Sequence, residues 1–295
     1  LIVIYLIAMR QVKKLALRHL LFLRQQLVEK KEMILSDTFL SSFKVFLDHD
    51  SSDDAFKTIA LTLPSETSIL SNIDAYDVDG VFRAREFMLK SFAFFHKDLL
   101  FTTFESVTIK SHRYDSKTIG KRSLKNTCLF YLSLCGDEFL KLTYDQFENA
   151  KNLTDEISAL TYLTMYDSEY TTQALDQFYG KWKRDTLIMD KWLSIQALKK
   201  DTDVLSRIKR LEKDPIFDSK NPNKIRALYG AFTRNLNQFH NLSGEGYRFI
   251  GQKIREIDKY NPSIAARLSL SFKAYNRCDK TRRELIKNEL SMIRS

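Results

Sequence analysis

Apolar residues recur every three to four positions along almost the whole chain, which is the spacing of one face of an α-helix. The stretch 81–104 shows the pattern plainly, with apolar side chains at Phe87, Met88, Phe92, Phe95, Leu99 and Leu100. The pattern predicts helices throughout the chain.

Short polar breaks separate the helical stretches, and several carry residues that begin helices. Asn152 is a typical N-cap, and Asn221–Pro222 and Asn261–Pro262 combine an N-cap with proline at the first helical position. The breaks predict roughly 13 to 15 helices joined by loops of about 2 to 8 residues. Such short loops favour antiparallel helix pairs, so the predicted fold class is all-α, a superhelical, solenoid-like stack. No strict period recurs, which excludes a consensus repeat array.

Composition supports this prediction. Only 4 proline and 8 glycine residues occur among 295, fewer than a protein of strands and turns needs. The chain is 44% apolar, enough to bury a large core, so an ordered chain is predicted. The three cysteines, Cys128, Cys135 and Cys278, include no CxxC pair. Cys128 and Cys135 are seven residues apart, on one helical face, and are interpreted as reduced core thiols. Reduced thiols predict a cytoplasmic location.

The first nine residues, LIVIYLIAM, are apolar but far too few to span a bilayer. The positive charges follow this run, whereas a signal peptide carries them in front. We interpret residues 1–50 as the first helices of the domain and expect them to pack against an upstream domain. The polar run HDSSDD at 49–54 is a candidate linker to the main stack, and no second domain is expected.

The net charge of +10 permits a nucleic-acid partner without requiring one, because the basic residues are spread along the chain. A helical-repeat scaffold that binds a protein or nucleic acid is therefore one hypothesis for function. It predicts a basic stripe on the concave face and binding that weakens steeply with salt.

The sequence contains no recognisable catalytic machinery. It has no HExxH zinc motif, no Walker A loop, no dinucleotide-binding GxGxxG and no GxSxG elbow. The five histidines, at positions 19, 49, 96, 112 and 240, are isolated, and acidic pairs such as Asp53–Asp54 are interpreted as helix caps. Core packing explains the following aromatic residues better than base stacking does: Phe92, Phe94, Phe95 and Phe101.

Seven segments, spread in order over the chain, nevertheless resemble a known family. They are DDAFKTIALTLPSE (53–66), RSLKNTCLFYL (122–132), NLTDEISAL (152–160), LIMDKWLSIQA (187–197), NPNKIRALYGAF (221–232), GEGYRFI (244–250) and DKYNPSIAARL (258–268). Together they are similar to the C-terminal helical domain of the bacterial aminopeptidase N family of zinc exopeptidases. The resemblance covers residues 51–295, whereas residues 1–50 match poorly.

The resemblance implies that an upstream catalytic domain holds HExxH, GxMEN and the zinc ion. The helical domain would close the catalytic chamber and limit which peptides enter it. No zinc and no catalytic residue are then expected in this chain, and whether it counts as an enzyme is left open. The expected partners are peptide substrates and the upstream domain, with no membrane and no nucleic acid.

Two site residues are carried over from the family's NPNxIR and NPxxAxR segments, Arg226 and Arg267. Both would face the chamber, where a guanidinium can bind the carboxylate or carbonyls of a peptide without changing protonation state. The alternative role for each arginine is to pair with a neighbouring carboxylate or to extend its side chain over apolar surface with the charge in water. The family often has Gln where this chain has Ser263, which puts the completeness of these peptide contacts in doubt.

Overall fold

The structure is a computed structural model that describes residues 2–44, 47, 53–108 and 115–294, with only the backbone for residues 2–9. The described part is all-α and contains no strand, which confirms the predicted class. It has seventeen α-helices, thirteen of them with eight or more residues. The candidate linker HDSSDD lies mostly outside the described residues.

The first nine helices are α1 (Ile2–Val28), α2 (Asp37–Ser41), α3 (Asp54–Leu61), α4 (Glu66–Leu70), α5 (Val78–Phe95), α6 (Lys97–Val107), α7 (Ser116–Ser133), α8 (Glu138–Asn149) and α9 (Leu153–Leu163). The other eight are α10 (Glu169–Trp182), α11 (Thr186–Leu198), α12 (Val204–Leu211), α13 (Pro222–Ile225), α14 (Leu236–Phe239), α15 (Glu245–Asp258), α16 (Pro262–Ser269) and α17 (Lys280–Arg294). A π-helix spans Arg226–Gly230, and two 3₁₀ turns span Leu270–Phe272 and Tyr275–Arg277.

The chain divides into two compact units. The first comprises residues 1–72 and 80–170, and the second comprises residues 73–79 and 171–295.

Helix α7 is the centre of the first unit, where it packs against α3, α6, α8 and α9. Its apolar face is fully buried at Leu124, Leu129 and Leu132. The hydroxyl of Tyr131, on the same helix, donates to the carbonyl of Leu61 at 2.5 Å, so this buried polar group has a partner. One amphipathic helix thus organises the core of this unit.

A buried polar network around Asp155 joins three helices of the first unit. The Asp155 carboxylate accepts from the Lys125 ammonium at 2.5 Å and from the Asn126 amide at 2.8 Å. The N-cap Asn152 accepts from the backbone N–H of Asp155 at 2.9 Å, as predicted for this residue, and Gln146 donates to Asn126. Two of the sequence landmarks, 122–132 and 152–160, therefore meet through buried charge and hydrogen bonds.

In the second unit, α15 packs against α14, α16 and α17, while α11 packs against α12, α13 and the π-helix. Aromatic rings fill its core, with Phe232, Phe239 and Tyr247 nearly inaccessible to solvent. The rings of Phe239 and Tyr247 meet edge-on, 5.3 Å apart between centroids.

The guanidinium of Arg282 is buried in the second unit, and each of its three nitrogens donates a hydrogen bond. It donates to the carbonyl of His240 at 2.6 Å and to the carboxylates of Asp79 at 2.6 Å and Asp279 at 2.8 Å. Burying a guanidinium is costly unless its donors are satisfied, and here two carboxylates and a carbonyl satisfy them. The short segment 73–79 is held to its unit by this arginine and by Tyr76, whose N–H donates to Arg277.

The prediction of core packing for four phenylalanines is right for one and wrong for three. Phe92 is buried, whereas Phe94, Phe95 and Phe101 are 57%, 44% and 37% exposed. The apolar stretch at the end of α5 is wider than the face that α5 buries, so the rings of Phe94 and Phe95 lie outside that face, and Phe101 lies in α6. None of the helices in the described part of the chain is both long and apolar enough to cross a membrane.

Candidate functional site

The segment that carries Arg226 begins as its sequence predicts. The side chain of Asn221 accepts from the N–H of Asn223 at 2.9 Å, and Pro222 occupies the first helical position. After four α-helical residues the backbone widens into the π-helix Arg226–Gly230. A single π-turn of this kind is often found at functional sites, because it turns side chains away from the regular helical direction.

The side chain of Arg226 is exposed, although the next three residues of the π-helix are buried. One terminal nitrogen of its guanidinium, Nη2, donates to the side-chain oxygen of Asn223. Its other donors make no hydrogen bond or ion pair with any described residue. They remain available to an external carboxylate or carbonyl.

Arg267 lies in a helix that begins in the same way. Asn261 accepts from the N–H of Ile264 at 3.2 Å, and Pro262 again occupies the first position, in α16. The side chain of Arg267 is exposed and forms no ion pair or hydrogen bond within the described part of the chain. Ser263, where the family often has Gln, is exposed as well.

Arg226 and Arg267 both belong to the second unit but lie on different helices. Within the described residues, no hydrogen bond or ion pair joins the two side chains. Neither arginine pairs with a carboxylate in the described chain, so both keep the free donors that an anion-binding residue needs.

A cavity of about 320 Å³ in the second unit is lined by charged and aromatic residues. The ammonium of Lys253 lies 2.9 Å from Glu212 and 3.1 Å from Glu256, and the Tyr229 hydroxyl donates to Glu212 at 2.7 Å. Burial and the hydrogen bond to Glu212 both raise the pKa of Tyr229, so this phenol stays protonated. Burial opposes the charge on Lys253, but its hydrogen bonds to the two glutamates outweigh burial and raise its pKa. The charged groups of this cavity thus have partners within the cavity itself.

Metal-binding and nucleophilic groups do not converge in the described residues. No three His, Cys, Asp or Glu side chains in this part of the chain lie together as a metal-ion site, so its donor groups do not fit zinc. The three cysteines are buried and free, which agrees with the prediction of reduced core thiols at Cys128 and Cys135. Burial raises the pKa of the Cys128 thiol to about 12 and those of Cys135 and Cys278 to about 11, which makes them poor nucleophiles.

The described histidines have structural partners. A ring nitrogen of His96 lies 2.9 Å from the carbonyl of Leu40, and one of His240 lies 2.8 Å from the hydroxyl of Tyr247. His49 and His112 are outside the described residues.

Comparison with known proteins decides the family. A family model described as "Domain of unknown function (DUF3458_C) ARM repeats" matches residues 8–295. The chain belongs to this family. ARM repeats are stacked helices, which agrees with the all-α architecture of both units.

The chain is also similar to aminopeptidases of several bacteria. The chain is 33% identical over 262 residues to aminopeptidase N of Haemophilus influenzae and 31% identical over 247 residues to that of Caulobacter vibrioides, which covers 88% and 83% of this chain. Aminopeptidase N of Escherichia coli is 29% identical over 256 residues. The chain spans only about 30% of the length of these relatives.

A solved structure supports the same assignment. The crystal structure of Legionella pneumophila aminopeptidase A in complex with aspartic acid superimposes with a TM-score of 0.87 at 29% identity. The match covers 97% of this chain and 34% of that one. The resemblance to the C-terminal helical domain of bacterial aminopeptidase N is thereby confirmed.

Sequence reasoning missed the structural support around Arg226. It gave no sign of the π-helix, because apolar spacing continues unbroken through residues 226–230. It also missed Ser194 and the buried pair of Lys224 with Asp190, which contact this segment. One signal was present: Asp190 and Ser194 are polar and lie four residues apart in α11, so they share one face of this helix.

Proposed function

We propose that this chain is the C-terminal part of a zinc-dependent aminopeptidase that removes residues from the N-termini of peptides. The observation that carries the proposal is the similarity to aminopeptidase N over more than four-fifths of the chain, together with its coverage of under a third of those proteins. The zinc and the hydrolytic groups belong to residues outside this chain. The described residues offer no ligand set for the metal.

The role of this part is to close the catalytic chamber and limit which peptides reach it. Free guanidinium donors on two capped helices support a binding role for Arg226 and Arg267. Each arginine would bind the carboxylate or the backbone carbonyls of the peptide beyond the cleaved bond. The upstream catalytic domain and peptide substrates are the proposed partners, and the reduced thiols support a cytoplasmic location.

The proposal is tested by assaying the complete protein, which is encoded by the reading frame that includes this chain and the sequence upstream of it. We expect it to release N-terminal residues from tripeptides in a metal-dependent manner. Replacing Arg226→Ala or Arg267→Ala should raise KM for tripeptides by about 10- to 100-fold, since a hydrogen bond to a charged group contributes about 1.5–3 kcal/mol. An aminoacyl p-nitroanilide lacks the peptide beyond the cleaved bond, so its KM should not change.

The matched control is Arg294→Ala, an exposed arginine at the end of α17, which should leave both KM values at the wild-type level. Absence of hydrolysis by the complete protein would overturn the proposed activity. Hydrolysis with unchanged tripeptide KM in both arginine variants would overturn only the role of these two residues.

A further inference from the structure

The direction in which the Arg226 side chain leaves the backbone depends on the π-helix that begins at this residue. In a π-turn each hydrogen bond spans one residue more than in an α-helix, so the turn is wider and the side chains are rotated about the axis. Such a turn needs contacts that stabilise it against the regular helix. In this structure those contacts come from α11.

A hydroxyl of α11 reaches the backbone of the π-helix. Oγ of Ser194 lies 2.9 Å from the carbonyl oxygen of Ala227, the residue after Arg226. The same oxygen lies 2.9 Å from the carbonyl of Asp190 in its own helix. A helical serine can satisfy its hydroxyl within its own helix, so the approach to Ala227 is an additional, tertiary contact.

A buried ion pair holds the residues just before Arg226. Lys224 is only 2% exposed, and its ammonium lies 2.8 Å from a carboxylate oxygen of Asp190. It also donates to the carbonyl of Thr186, the first residue of α11, at 2.9 Å. A buried ammonium is stable only with such partners, so Lys224 has little freedom to move along α11.

These contacts lie on both sides of Arg226, at residues 224 and 227. Asp190 and Ser194 are four residues apart and therefore project from one face of α11. The segment 224–227 is therefore held against α11 on both sides of Arg226. The side chain of Arg226 itself is exposed to solvent.

We propose that Ser194 is a positioning residue for the aminopeptidase reaction. Its hydroxyl fixes the carbonyl of Ala227 and so sets the direction of the Arg226 guanidinium, with the Lys224–Asp190 pair as the fixed support. This inference rests on the proposed function, in which Arg226 binds the peptide.

The test is a double-mutant cycle in the complete protein, with KM and kcat measured on a tripeptide. Ser194→Ala removes the hydroxyl and should raise KM by about 3- to 10-fold, the range of one neutral hydrogen bond, with kcat nearly unchanged. Ser194→Thr keeps a hydroxyl and should restore KM. In the Arg226→Ala background, Ser194→Ala should have no further effect, because the group that it positions is gone.

The matched control is Ser133→Ala in α7. This buried serine donates to the carbonyl of Phe130 at 2.7 Å within its own helix, so its loss tests the effect of deleting a buried hydroxyl. We expect an unchanged KM for this variant.

The outcomes separate the two proposals. Suppose that Arg226→Ala raises KM. If Ser194→Ala then leaves KM unchanged, or raises KM by the same factor with Arg226 present and with Arg226→Ala, the positioning role is overturned and the peptide-binding role of Arg226 stands. If Arg226→Ala leaves KM unchanged in an active enzyme, both roles are overturned. An inactive complete protein overturns the proposed function and, with it, the positioning role.

Discussion

His240 shows at the residue scale how burial sets chemistry in this fold. Its ring is 1% exposed, and one ring nitrogen lies 2.8 Å from the Tyr247 hydroxyl. Burial, with a smaller contribution from the nearby Arg282, lowers the pKa of His240 to about 3, while Asp279 acts in the opposite direction. The imidazole is therefore neutral in the folded chain at pH 7.

A dependence of stability on pH follows from this shift. In the unfolded chain the imidazole binds a proton near pH 6.5, whereas in the folded chain it does so only near pH 3. The unfolded state thus binds the extra proton between these values, and the free energy of unfolding falls as pH drops from about 6.5 towards 3. Above pH 6.5 this contribution to stability is fully present.

The variant His240→Asn should remove this part of the pH dependence, because asparagine does not titrate. Between pH 7 and pH 5 the wild type should lose about 2 kcal/mol more than the variant, at about 1.4 kcal/mol per pH unit below 6.5. Urea unfolding at both pH values measures the difference. Equal losses in the two proteins would contradict a depressed pKa at this site.

At the scale of helices, glycine decides how closely two neighbours approach. Gly246 is the second residue of α15, and a Cβ atom there would lie 2.5 Å from the carbonyl oxygen of Phe239 in α14. Gly246 is therefore the site of a close approach between α14 and the start of α15. The backbone of α14 cannot retreat without disturbing the packed ring of Phe239.

Replacing Gly246→Ala should therefore destabilise the chain by about 1–3 kcal/mol, despite the higher helix propensity of alanine. Thermal or urea unfolding measures the change. The control is Gly180→Ala in α10, where the added Cβ meets no atom within 4 Å. That variant should be neutral or up to about 1 kcal/mol more stable. Equal effects of the two substitutions would show that the close approach does not determine stability.

The helix that carries Arg226 shows which features of a helix can be predicted from neighbouring residues in the sequence and which cannot. Its start was predictable, because Asn221 and Pro222 act on backbone groups within two or three residues of themselves. Its widening at Arg226 was not, because Ser194 and Asp190 stabilise it from a helix some thirty residues earlier. The residues of the candidate site could thus be named from the sequence, but their support could not.

At the scale of the whole molecule, the chain spans about 30% of the length of the aminopeptidase N relatives that it matches. It contains the two candidate peptide-binding arginines, and its described residues include no metal ligand set. Division of binding and hydrolysis between separate parts of a protein predicts that neither part performs the complete reaction alone.

We expect the purified chain alone to hydrolyse no aminoacyl chromogenic substrate and to retain no zinc after dialysis. The sequence lacks HExxH, so a helix-borne zinc site cannot form. Release of chromophore and metal content per chain are the two measurements. Hydrolysis that a chelator abolishes, in a preparation free of other proteases, would contradict the proposed division of roles.

The sequence by itself determined the all-α class, the starts of the capped helices, and the family, whose seven landmarks lie in order along the chain. These features depend on periodicity and hydrogen bonds within a few residues, so they can be read without the fold. Only the tertiary structure decided that Phe92 is buried and Phe94 exposed, that His240 is neutral, and that a π-turn presents Arg226. Each of these depends on burial and contacts between residues distant in sequence, which no local pattern encodes.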